Sequence, residues 1–415
     1  MLTHTLPPIG LARPEAERIE QLISCLERTY GANPATVRVV KVPLRICPLG
    51  AHIDHQLGRV TGMAIDRSVL MAFAPTNDGT VHVDSLEFSP AISFSLNQVP
   101  PYQRGDWGNY IRGAVLGLQD RFQLQQGLVG VIGGDMPIGG LSSSSAVTIA
   151  YLLALEAINN LAMPPEENVA LVRFTENQYI GLNNGILDQT VILFSRLNHL
   201  TLIDCQSIQI DPIPTSLQTD EFDIMIVYSG VTQALMGTDY NNRVAECREA
   251  ARLLLTYGGL EVGADSRLRR VPPDLFEAEG HRLPESLRRR ATHYFGEMQR
   301  VIDGVTAWQA GDLNRFGRLI SESGESSIKY YECGCPQLIT LYELLRDTPG
   351  VFGVRFSGAG FRGNCIALVD PAAREAVAAA IQRRYPVAHP ELAGAYRIDF
   401  CQSEDRAQLT PWRRL

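Results

Sequence analysis

At 415 residues, with 45% hydrophobic and 20% charged residues, the chain has the composition of a globular protein large enough for two domains. Its formal net charge of −8 excludes nucleic acid as the main partner, which would call for a basic surface, but allows an anionic small molecule in a locally basic pocket. No run approaches the roughly 18 apolar residues of a membrane span, residues 1–10 lack a basic-then-apolar leader, and the eight cysteines have no paired CxxC spacing, so reduced thiols and a cytoplasmic location are expected.

Residues 14–30 read as an amphipathic helix with Ile19, Leu22, Ile23 and Leu26 on one face. Strand-like runs follow at 37–42, 68–74, 81–85 and 91–96, then a helix over 107–119 and a buried strand over 127–132. A glycine-rich turn, 133–140, opens into a helix over 142–158 that is apolar on most faces, and a further helix is predicted over 166–180. Strands near 199–210 and 222–229 flank a predicted domain boundary, giving an N-terminal domain of residues 1–215 and a C-terminal domain of 216–415. Beyond it come a polar helix over 241–255, an Arg-, Glu- and Pro-rich stretch over 263–290 that reads as an exposed excursion, and helices over 291–310, 313–323 and 335–347. The end of the chain alternates strand, glycine turn, strand, helix and strand between 353 and 400, an order that suits an α+β fold.

Four groups of residues can carry chemistry. Gly139, Gly140, Leu141 and Ser142 to Ser145 stand between a strand and a helix, where permissive backbone and a helix N-terminus favour phosphate oxygens; the other reading is a serine-capped helix after an ordinary loop. No Lys follows the glycines, so this is not a Walker loop. The run 45–55 crowds Arg45, His52, Asp54 and His55 around Gly50, suiting either sugar hydroxyls or a metal. Glu176 and Asp188 flank an Asn-Gly turn, as an Mg²⁺ ligand and a proton acceptor or as a solvated side chain and a helix cap. The run 357–363 alternates glycines around Arg362, as a close backbone approach or a hairpin.

In this order the four groups resemble the kinase family that includes galactokinase, homoserine kinase, mevalonate kinase and phosphomevalonate kinase. Residues 45–54 resemble the galactokinase sugar motif and 185–189 its catalytic segment, while 107–110 are similar to its adenine-contacting segment. The resemblance implies two domains, an N-terminal ribosomal-protein-S5-like half and a C-terminal ferredoxin-like half, with ATP and a small sugar between them. It implies Asp188 as the catalytic carboxylate and Arg45 as the cation that stabilises the reacting hydroxyl and its charge, with Ser145 and Glu176 on Mg²⁺. It further implies Trp107, Gly139, Gly140 and Ser142, Ser143, Ser144 and Ser145 around the nucleotide, and Ala51, His52, Asp54 and Tyr240 around the sugar. Ala51 departs from the Glu usual in galactokinases, and the whole run 45–55 resembles galacturonokinases, so a sugar acid phosphorylated at C1 is expected; galactose is the alternative substrate and a non-catalytic sugar sensor the alternative class. Arg59, His55 and Arg243 are the candidates for gripping its carboxylate. Arg362 stands where the family usually has Gly, and the sequence does not choose between monomer and homodimer.

Overall fold

The computed structural model describes residues 13–136, 140–217, 221–231 and 239–410. Strands are β1 (Arg38–Ile46), β2 (Arg59–Thr76), β3 (Thr80–Ser85), β4 (Ile92–Ser95), β5 (Gly127–Gly133), β6 (His199–Asp204), β7 (Gln209–Pro214), β8 (Asp223–Tyr228), β9 (Val351–Phe356), β10 (Asn364–Val369), β11 (Arg397–Cys401) and β12 (Gln408–Thr410). Helices are α1 (Glu15–Tyr30), α2 (Asn109–Gln119), α3 (Ser143–Ile158), α4 (Pro165–Arg173), α5 (Leu187–Phe194), α6 (Tyr240–Tyr257), α7 (Pro273–Glu279), α8 (Glu285–Gln309), α9 (Leu313–Ser326), α10 (Pro336–Arg346) and α11 (Arg374–Ala388). Among the described residues none of them is long and apolar enough to cross a membrane.

The architecture is α+β, as expected, and is organised on two sheets. The first runs β12-β1-β2-β5-β3-β4, with β6 and β7 paired off the start of β2. Helix α1 covers one face, burying Ile19, Leu22, Ile23 and Leu26 against Val37, Val39, Leu70, Ala72 and Val131. On the other side Ala146, Ile149, Ala150, Leu152 and Leu155 of α3 are fully buried, which is why that helix reads as apolar on most faces. The second sheet, β11-β8-β10-β9, is antiparallel throughout and is backed by α9, α10 and α11.

Two readings of the sequence are corrected. The 199–210 run is not one strand but the start of a hairpin, because Asp204 caps a turn by accepting from the Gln206 and Ser207 amides. The expected boundary at 215/216 falls between β7 of the first sheet and β8 of the second, while β12 returns to pair with β1 and Trp308 of α8 donates to Ile213 O at 3.0 Å. The 263–290 stretch is also not simply exposed, since Leu268, Val271 and Leu283 are core residues and Arg267 Nη1 donates to His55 O at 2.6 Å.

These connections place three chain reversals together. The loop 47–58 joins β1 to β2, residues 140–142 lead into α3, and the loop 181–186 precedes α5. Arg45, near the end of β1, links two of them by side chain and backbone: its amide donates to Leu141 O and its guanidinium to Gly140 O.

Candidate active site

The glycine-serine turn has the backbone that an anion site needs. Gly140 has φ +77°, and a β-carbon there would lie 2.7 Å from Ser357 O, so only glycine fits. Ser142 takes φ +60°, an uncommon left-handed conformation for a serine, and its buried Oγ has no hydrogen-bond partner among the described residues. Because Ala146 N makes the first helical bond to Ser142 O, the amides of Ser143, Ser144 and Ser145 precede the helical ladder and carry its positive end. The 357–363 loop clasps this turn, with Ser357 Oγ bonded to Gly140 O and Gly358 against Gly140 Cα. The alternating glycines therefore serve close backbone approach. Gly139, predicted to join the turn, lies outside the described residues.

Beside the turn, Arg45 Nε donates to Asp188 Oδ1 at 2.7 Å. Arg45 is buried, whereas the Asp188 side chain is 24% exposed and can face a ligand. Glu176 is fully buried on a wide π turn, Phe174–Ile180, that continues α4 in place of the predicted straight helix. It accepts from Ser145 Oγ at 2.9 Å and from Asn184 Nδ2 at 2.6 Å. Burial first, and then the Asp188 charge, lift the Glu176 carboxyl to about 7. The same two causes lift Asp54 to about 6, against the backbone amides of His55 and Leu187. Asp54 is seated on Gly185, where a β-carbon would lie 2.4 Å from its Oδ2. Glu176 and Asp54 thus both feel the charge of Asp188, whose bonded cation is Arg45, a crowding of carboxyl groups that a divalent ion would relieve. Among the described residues no three His, Cys, Asp or Glu side chains form a cage; a carboxylate with a neighbouring hydroxyl, as at Glu176 and Ser145, fits Mg²⁺ that takes its other ligands from water and phosphate.

The sugar-side residues divide. Tyr240, the first residue of α6, is buried edge-on to His55 at 6.2 Å. Burial pushes its phenol well up, and Asp54, Asp188 and Glu176 add to the effect, so it shares their field. His52 faces inward instead: its ring stacks on Tyr331 at 4.2 Å and its Nε2 meets Cys333 Sγ at 3.5 Å. Trp107 stacks on Phe88 and donates to Pro90 O, at the edge of the site beside the start of α2. The three candidates for holding a substrate carboxylate are all engaged. Arg59 is exposed and paired with Asp204, Arg243 is paired with Glu246, and both ring nitrogens of His55 are taken, by Tyr331 OH and Gln56. Burial holds His55 at about 3, so it is neutral and a poor anion ligand, and the metal reading of the 52–55 cluster finds no free His55 nitrogen.

Sequence reasoning missed Glu297. From the middle of α8 this fully buried carboxylate accepts from the Gly50 amide at 2.8 Å and the Ala51 amide at 3.2 Å, while His293 Nε2 pairs with Ala51 O at 2.9 Å. The one available signal was a Glu and a His, four residues apart, on the stripe that carries Leu287, Ala291, Tyr294 and Val301. Leu49 also packs on Gly304, where a β-carbon would lie 2.1 Å from its Cδ1.

Comparison with known proteins matches this arrangement. The pattern described as GHMP kinases N terminal domain covers residues 109–196, GHMP kinases C terminal covers 305–387, and the galactokinase galactose-binding signature covers 24–75. The chain is 41% identical to a galacturonokinase of Arabidopsis thaliana over 95% of its length and 99% of the relative's. It is 33% identical to a galactokinase of Roseiflexus, over 91% of this chain and 94% of that one. The crystal structure of Lactococcus lactis galactokinase complexed with galactose superimposes with a TM-score of 0.86 at 29% identity, covering 94% of this chain and 99% of the other. With two family domains in order, full-length relatives and paired catalytic-type carboxylates beside a phosphate-type turn, the chain belongs to the GHMP kinase family and is an ATP-dependent sugar kinase.

Proposed function

We propose that the chain transfers the terminal phosphate of ATP to the C1 hydroxyl of D-galacturonic acid, giving D-galacturonate 1-phosphate. The observation that carries this is Ala51, which stands where galactokinases usually present a Glu towards sugar C6. A carboxylate there would repel a C6 carboxylate, and Ala removes that repulsion. The likeness to a protein named galacturonokinase supports the same reading.

In this reading Asp188 orients the C1 hydroxyl and takes its proton, and Arg45 fixes the Asp188 side chain in place while offsetting negative charge that grows at the attacking oxygen. Gly139 to Ser145 cradle the phosphates, Trp107 borders the adenine, and Asp54 and Tyr240 hold sugar hydroxyls. His52 positions the loop from beneath through its stack on Tyr331. Ser145 and Glu176 would hold Mg²⁺, which when bound neutralises phosphate charge. We read the first sheet with its helices as ribosomal-protein-S5-like, and the four antiparallel strands of the second, with helices behind them, as ferredoxin-like.

A sugar panel tests the assignment. The purified enzyme is expected to release ADP faster with D-galacturonate than with D-galactose; the reverse order would assign the chain to the galactokinases instead. Ala51→Glu should lower kcat/KM for galacturonate by roughly 10- to 1,000-fold, as like charges in a closed site cost several kcal/mol, while galactose is spared or improved.

The raised Glu176 carboxyl predicts a second result. Its proton competes with a metal, so apparent Mg²⁺ affinity should fall about tenfold per pH unit below about 7, read by Mg²⁺ titrations of turnover between pH 6 and 8. For metal-free protein the sign is opposite. A carboxyl raised from 4.5 gives its full stabilisation below 4.5 and loses it as pH rises through about 7. Glu176→Gln should therefore stabilise the metal-free protein at pH 8 by roughly 1–3 kcal/mol while abolishing turnover. A destabilised variant would sink this account of Glu176.

A further inference from the structure

We propose that Arg362 is a nucleotide-binding residue that contacts the phosphate chain of ATP, a cation that this protein adds to the glycine-rich loop between β9 and β10. Three observations carry the inference. The first is place. The loop that holds Arg362 is fastened to the phosphate turn at Ser357 and Gly358, and its far end is fixed where Gly363 O accepts from Ser229 N at 2.8 Å. Arg362 thus stands on a loop fastened at both ends, one of them to the predicted phosphate cradle.

The second is the absence of an internal counter-charge. Arg362 is half-buried, yet no ion pair joins it to a carboxylate among the described residues. The buried guanidinium groups of Arg45, Arg290 and Arg355, by contrast, all face one: Asp188, Glu246 with Glu332, and Glu297. The titratable groups that act on it are the neutral phenols of Tyr110 and Tyr228. Burial lowers its proton affinity and the two phenols offset that only in part, so a half-buried cation without a carboxylate partner among the described residues is suited to an external anion.

The third is direction. Tyr110 lies in the first turn of α2 beside Trp107, and its buried phenol is influenced by both Glu176 and Arg362. Arg362 therefore belongs to the nucleotide side, with Ser145 and Glu176. The planar fork of an arginine suits phosphate oxygens, and a glycine in its place would leave that charge to the main chain alone.

The inference rests on ATP as co-substrate and not on which sugar is phosphorylated, so its test is nucleotide binding without sugar. Calorimetric titration of ATP, ADP and adenosine into the wild type, Arg362→Gln and Arg362→Lys, each confirmed as folded by circular dichroism, separates the possibilities. Arg362→Gln is expected to weaken ATP binding about 10- to 100-fold and leave adenosine within twofold. Arg362→Lys should recover part of the ATP affinity, and the loss should shrink at high salt. Equal losses for ATP and adenosine would mark a structural role and overturn the proposal. So would unchanged ATP affinity, including the case where only galacturonate binding or turnover falls.

Discussion

Replacing Asp188 with Asn is expected to lower kcat by about 10²- to 10⁴-fold, the range for a general base at a reacting hydroxyl, while the sugar dissociation constant moves only a few-fold. The substitution keeps the shape of the side chain, so Arg45 Nε retains an oxygen acceptor where it now meets Asp188 Oδ1 at 2.7 Å. What is lost is the charge. A neutral amide cannot accept the hydroxyl proton, and it leaves Arg45 as a buried cation with only Gly140 O as a second partner. The same change removes a negative neighbour of Glu176 and Asp54, so both carboxyls should become more acidic. The readout is a split: rapid-quench turnover against calorimetric sugar binding. Retention of more than about a tenth of kcat would remove Asp188 from the reaction and would also weaken the reading of Arg45 as its partner.

The features that could be read in advance are those encoded locally. Helix α1 declares itself by the spacing of Ile19, Leu22, Ile23 and Leu26, and the glycine-serine turn by Gly140 and its run of serines, because backbone freedom and helix-end chemistry depend on near neighbours. The resemblance assigned Arg45 and Asp188 to one reacting hydroxyl and Ser145 and Glu176 to one ion; that each two are in direct contact, 143 and 31 residues apart, is contained in no local pattern. The features that escaped are set by distant partners. The 263–290 stretch has surface composition, yet Arg267 and Leu268 hold the 54–56 turn through His55 O and Gln56 Oε1. The π turn that aims Glu176 replaces ordinary helix geometry with no Gly or Pro between Phe174 and Ile180 to announce it. Strand β12 is three residues long, and its affinity for β1 appears only when the sheet edge exists.

Glu297 is the most consequential of these and supports the other large prediction. Burial raises the carboxyl, but Arg300, His293, Arg355 and the Ser323 hydroxyl overcome it, and the group is held at about 2. Its Oε1 gathers the Gly50 and Ala51 amides with Ser323 Oγ, and its Oε2 takes Arg300 Nε at 2.7 Å. A helix of the C-terminal half thereby fixes the loop that carries Ala51, His52 and Asp54. Glu297→Gln preserves volume but strips the charge that those donors converge on, and breaking a buried, fully bonded ion should cost about 3–5 kcal/mol. A carboxyl depressed below 4.5 contributes fully above that pH and loses its contribution as pH falls towards about 2. Chemical denaturation should therefore show the widest gap between wild type and variant at neutral pH and a narrowing gap below pH 4.5. At temperatures where the variant remains folded, the loop's looser hold should raise KM for sugar more than it lowers kcat, because Asp188 and Arg45 are positioned by other elements. Equal stabilities at neutral pH, or a gap that widens on acidification, would show that the loop is held without this charge; a fall confined to kcat would place Glu297 in the chemistry and not beneath the sugar.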